Sequence, residues 1–178
     1  SRKRKNIRKE RRKVEDAGIR VRTLNGADIE PRHWDEFHQF YVNTYDRKWG
    51  YPYLTREFFA LLGEEMADKV ALVRADIDDL AIAGALNLVG SDALYGRNWG
   101  CGGNYRVLHF EACYYQGQEF CIRHGLARFE PGAQGEHKVP RGFLPTQTLS
   151  APRNFPRRST IAWGSTRNTN SSPRKAAR

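Results

Sequence analysis

Apolar residues recur at two spacings along the 178-residue chain, and the switches between them outline its elements. Ile19-Arg-Val-Arg-Thr-Leu24 alternates and predicts a strand closed by Asn25-Gly26. Pro31 suits a first helical turn, and Trp34, Phe37, His38, Tyr41 and Tyr45 follow at i, i+3, i+4, i+7 and i+11. Thr55 is placed to cap a second helix that would bury Phe58, Phe59, Leu61 and Leu62. Val70–Arg74, Ala81–Val89 and Ala93–Trp99 are strand-like and lie close together. Turns at Asp76–Asp79 and Gly90–Asp92 separate them, which predicts an antiparallel meander.

A longer helical pattern begins at Leu108 and runs to His124. Leu108, Ala112, Tyr115, Glu119 and Ile122 share one face, which Phe110, Cys113, Tyr114, Phe120 and Cys121 extend, and Gly125 supplies a left-handed stop. Leu126–Glu130 is of strand length, and Pro131-Gly132 ends it because proline cannot donate to a ladder. The order β-α-α-β-β-β-α-β predicts a mixed α/β (α+β) sandwich: an antiparallel meander plus a helix and a further strand.

Charge separates the ends from the middle. The net charge is +10, yet residues 1–13 hold nine Lys/Arg against one Glu and residues 151–178 hold seven with no acid, leaving 14–150 at −5. Residues 2–17 are strong helix formers anchored only by Ile7, Val14 and Ala17. Nine cations there would attract nucleic-acid phosphates, but residues 1–33 lack the aromatic side chains that stack on bases, so a solvated, packing helix is the preferred reading. Residues 151–178, rich in Ser, Thr, Asn, Pro and Arg, show neither period and are expected to be a disordered basic tail. No apolar run approaches the roughly 20 residues of a membrane span and no signal-peptide pattern opens the chain. Three cysteines, an odd number, suggest a reducing cytoplasm.

The loop after Pro131 gathers Gln134, Glu136, His137 and Lys138 within five residues, at the C-terminal end of a strand, where open α/β sheets bind ligands. Lys138 and Arg141 could hold a phosphate or carboxylate, or simply be solvated. Glu111 sits on an otherwise apolar helix, so burial would demand a partner such as His109 or an arginine. Cys113, Cys121 and His124 share that helix, but without a Cys-x-x-Cys pair they read as small buried apolar residues rather than metal ligands.

Several runs resemble the Fem-like acyltransferases, the peptidoglycan-related FemAB-like proteins. They are Arg4–Lys9, Tyr95–Cys101, Leu108–Tyr115, His124-Gly125, Arg128–Lys138 and Arg141–Pro145, and the likeness covers roughly residues 1 to 150. The resemblance implies a GNAT-like fold over 19–150 and transfer of an acyl or aminoacyl group to an amine, from acyl-CoA or aminoacyl-tRNA. Such proteins are usually longer, with two GNAT-like halves. That implies that this chain is the second half, with 1–18 packing through Ile7 and Val14 on a missing first half. Two other readings stay open: a non-catalytic binding module for RNA or a cell-wall precursor, and an inactive truncated fragment.

Acyl transfer needs a deprotonated amine, a polarised carbonyl and a hold on the carrier's phosphates. Arg97-Asn-Trp-Gly100-Cys-Gly102, followed by Gly103, has the (Arg/Gln)-x-x-Gly-x-Gly form with which GNAT enzymes cradle the CoA pyrophosphate; the alternative is a plain turn. Glu130 and His137 are the candidate catalytic bases. Glu130 could instead fix the loop through backbone N–H bonds, and His137 could be an exposed loop residue. Gln134, Glu136, Lys138, Arg141 and Glu111 are the candidate substrate-binding residues.

Overall fold

The computed structural model describes residues 2–46, 51–132, 135–147 and 159–162. Its frame is a five-stranded sheet in the order β1 (Arg20–Asn25), β2 (Val70–Ile77), β3 (Leu80–Val89), β4 (Ala93–Cys101), β5 (Arg128–Glu130). The first four are antiparallel neighbours, whereas β5 runs parallel to β4. The meander predicted from the sequence is therefore present, with β1 added on one side and β5 on the other.

The tight turn between β2 and β3 is Asp78-Asp79 alone, both at positive φ, the geometry a two-residue hairpin requires. Asp76, expected in that turn, lies in β2 and is buried beside Arg74, whose guanidinium sits 3.1 Å from both Asp76 and Glu36.

Both faces of the sheet are covered, which is why β2 reads as a nearly unbroken apolar run. Val70, Leu72 and Leu86 pack against Trp34, Phe37 and Tyr41 of α2 (Pro31–Asp46) and Phe59 and Leu62 of α3 (Arg56–Glu65). The Thr55 hydroxyl caps α3 by accepting from the Phe58 N–H, as predicted. Phe58 and Leu61 are not in the core: they are 42% and 56% exposed, because α3 lies on α2 with only one stripe inward. On the opposite face small residues, Ala71, Ala75, Ala83 and Ala85, let the second helical layer approach closely.

That layer departs from the single helix expected over 108–124. It consists of α4 (Leu108–Phe110), a π-turn over Glu111–Tyr115, and α5 (Gln116–His124). The wider turn shifts the inward stripe by one residue. Phe120 and Cys121 are therefore buried, while Glu119 is only half-buried and Ile122 is 65% exposed. Gly125 ends α5 in the left-handed conformation.

The opening helix α1 (Arg2–Asp16) docks on its own domain, contrary to the expectation that Ile7 and Val14 would serve a missing half. Val14 is buried with Ile19, Ala75 and Leu108, and Ile7 packs beside Tyr114 and Phe120. Arg11 clamps Glu111 with two bonds of 3.0 and 3.1 Å and also pairs with Glu119. After β5 come a 3-10 helix (Glu136–Arg141) and β6 (Leu144–Gln147), which pairs antiparallel with β7 (Ser159–Ala162). Thus four residues of the stretch expected to be disordered form a strand. Among the described residues no helix is long and apolar enough to cross a membrane.

Candidate active site

β4 and β5 pair over only three residues: Ala93 with Arg128, Leu94 with Phe129 and Tyr95 with Glu130. β4 then continues to Cys101 while the chain leaves the sheet at Pro131, so the two parallel strands part. The gap is a hollow of about 400 Å³. Asn87, Asn98 and Trp99 form its floor, and His109, Cys113 and Tyr114 its roof. The segment after β5 closes one side with Pro131, Gly132, His137 and Lys138. In the floor, Leu86 pairs with Asn98 and Asn87 with Gly96, leaving Arg97 as the extra residue of a β-bulge. Bulges of this kind free backbone groups and re-aim side chains beside active sites.

The roof is shaped by the π-turn. In a regular helix residues i and i+5 point apart; here His109 and Tyr114 have their rings 5.3 Å apart. The Tyr114 hydroxyl lies 2.8 Å from His137 Nε2 across the hollow's edge. Desolvation pushes the Tyr114 phenol well above its ordinary value, so it stays protonated. His137 is lowered, first by desolvation and then by the neighbouring positive charges of Arg141 and Lys138, so its imidazole is neutral near pH 7. The Cys113 thiol is raised by burial, which keeps it out of the thiolate form a nucleophile needs. The Lys138 ammonium, in a side chain 3% exposed, donates to the Gly132 carbonyl at 2.6 Å and is lowered by desolvation.

Of the site residues expected from the sequence, His137, Lys138 and Arg97 reach the hollow's lining. Glu130 does not: it pairs in register with Tyr95 on β4, and its carboxylate lies 3.8 Å from the Arg128 guanidinium. Glu136 is exposed beside His137 and is not among the lining residues, and Gln134 lies outside the described residues. Glu111 is buried, with its partner an arginine: Arg11 and the Gln116 amide saturate its carboxylate. Arg141 is likewise engaged by the chain. It bonds Glu10, the Tyr115 hydroxyl and the His137 carbonyl, and its guanidinium lies 3.4 Å over the Phe110 ring. Both residues brace the site from behind.

The glycine motif has a packing explanation. Gly100 is inside β4, paired with Gly84, and a Cβ there would stand 2.4 Å from the Phe40 backbone carbonyl carbon on α2. The Gly102 N–H is taken by the Ile82 carbonyl at 2.8 Å, and Gly103 lies against the Tyr105 ring. Replacing Gly100 with alanine should therefore force α2 off the sheet. The expected cost is about 1–3 kcal/mol, the usual range for overpacking, read as a lower denaturant midpoint.

Tyr114, His109 and Asn98 were not singled out as site residues. One available signal was the Tyr114-Tyr115 pair on a buried helical face, since two phenol hydroxyls there must find partners. Tyr115 finds Glu10 and Arg141; Tyr114 finds His137.

A mixed sheet opened between two parallel strands is the architecture of the GNAT fold. An acetyltransferase from Streptococcus agalactiae 2603 superposes with a TM-score of 0.57 at 14% identity, over 82% of this chain and 96% of that one. An N-acetyltransferase-like protein from Lactobacillus plantarum gives 0.55 at 10% identity, over 82% and 95%. The ribosomal-protein-S18-alanine N-acetyltransferase of Escherichia coli gives 0.50 at 14% identity, over 86% and 99%. The chain belongs to the FemAB-like family, described as peptidoglycan biosynthesis/recognition, whose model matches residues 1–160. This match runs past the 1–150 stretch on which the sequence resemblance rested. No curated protein matches the sequence.

Proposed function

We propose that this chain is an N-acyltransferase that moves an acyl group from acyl-CoA to an amine on a cell-wall precursor, using Tyr114 and His137 as its proton relay. The observation that carries this reading is the 2.8 Å contact between a protonated phenol and a neutral imidazole at the parting of β4 and β5. With its proton on Nδ1, His137 accepts the Tyr114 O–H at Nε2. An ammonium resting on the Tyr114 oxygen passes a proton to that oxygen as the phenol proton moves to the imidazole, and the freed amine attacks the acyl carbonyl. The C–N bond forms and the C–S bond breaks; the nitrogen gives its second proton to the departing thiolate, and the imidazolium returns the first to water through Tyr114. In this reading, backbone N–H groups freed by the Arg97 bulge polarise the carbonyl oxygen.

The acetyltransferase names of the structural neighbours support a CoA thioester as donor, and the family description supports a cell-wall acceptor. The three free cysteines suit a reducing cytosol. The test is amine-dependent release of CoA from acetyl-CoA and longer acyl-CoAs, with aminoacyl-tRNA supplied in a parallel arm. Turnover from acyl-CoA supports the reading, turnover from tRNA alone replaces the donor, and none from either removes it. The pH profile has a definite sign. Because His137 is depressed, kcat/KM should be full near neutrality and fall only below about 6.5, the ordinary histidine value.

A further inference from the structure

Lys138 is the feature that the proton relay leaves unused. Its ammonium is almost wholly buried, and its one bond among the described residues is to a neutral carbonyl, Gly132. Buried charges are normally paired, because an ammonium out of water without a counter-charge is costly. The hollow supplies none: its described lining contains Arg97, Lys138, His109 and His137, and no aspartate or glutamate. Two further acceptor-seeking features point the same way. The Lys138 ammonium has three donors, of which Gly132 uses one. Desolvation already lowers its proton affinity, the signature of a cation lacking its anion. A pocket built for a polycationic amine would show the reverse lining.

We infer that the acceptor is an amine that carries its own carboxylate, such as an amino acid or a peptide end, and that Lys138 holds that carboxylate while the amine faces Tyr114. Lys138 adjoins His137 in the chain and lines the same hollow, so the anion site shares its opening with the Tyr114–His137 pair. The inference rests on the acyltransferase reading and narrows its acceptor.

Matched acceptors decide it: glycine against glycinamide, alanine against alaninamide, lysine against lysinamide, each assayed for acyl transfer over a range of pH. The free acids should be preferred by about 30-fold or more in kcat/KM, the scale of losing one partner of a buried charge pair. The amide's less basic amine starts with the larger neutral fraction, so a preference for the acid runs against that bias. K138M should collapse the ratio toward one. Methionine fills similar volume without a charge, and circular dichroism checks that the variant folds; should it misfold, the wild-type panel still decides. Parity or preference for the amides overturns the inference, and so does a K138M that raises KM for the acyl donor while leaving the ratio intact. Were no amine acylated by any donor, the acyltransferase reading itself would fall. Thermal-shift titration with glycine and glycinamide would then judge the anion site alone: stabilisation by glycine only sustains it, and equal responses overturn it.

Discussion

Substituting His137 with alanine, or Tyr114 with phenylalanine, should lower kcat by about 10²–10⁴-fold, the usual contribution of a positioned acid–base group, while leaving the fold intact. Both side chains meet at the rim of the hollow, and His137 is exposed enough that its loss opens no core cavity. The two single variants should cost nearly as much as the double, because each alone breaks the same relay. E130Q makes the contrast. Its carboxylate is outside the hollow's lining, so turnover should stay near the wild-type rate. Steady-state kinetics on all four proteins checks the assignment; an inactive E130Q beside an active H137A would reverse it.

The second large effect is on stability. Removing Arg11 leaves the Glu111 carboxylate buried with only Gln116 as partner. Stripping one member of a buried pair typically costs about 3–5 kcal/mol, and the lower end applies because the Arg11 side chain is 33% exposed. R11A should therefore unfold about 3 kcal/mol more easily. R11M/E111L, which removes both charges and keeps the volume, should recover most of that loss. Chemical denaturation of the single and double variants measures the difference. Equal losses in both would mean that packing, rather than charge, holds α1 in place.

Those pairs also mark how far the sequence could be read. The sheet strands, the Thr55 cap and the Gly125 stop were legible because period, cap chemistry and left-handed glycine are local signals. The π-turn was not, since nothing in the order Glu111–Tyr115 announces an extra residue in a turn, and that extra residue decides which rings face His137. Lys138 and His137 were found because they crowd a strand's end. Glu130 was drawn in by the same proximity, yet alternation along β5 buries Phe129 and turns Glu130 away from the hollow. The glycines at 100 and 102 looked like a phosphate cradle because a sequence cannot show that a helix backbone passes over one and a carbonyl occupies the other. Arg141 and Glu111 were right to attract attention, but their partners lie one hundred residues or more away in α1.

That distance has a mechanical corollary. Arg141 grips Glu10 with one part of its guanidinium and the His137 carbonyl with another, so the first helix and the imidazole share a single tether. Anything that pries the leading helix loose, whether trimming, proteolysis or a competing polyanion drawn to its cations, would be felt as a misaligned base rather than as a frayed end. Catalytic competence would then report on whether the front of the polypeptide is seated.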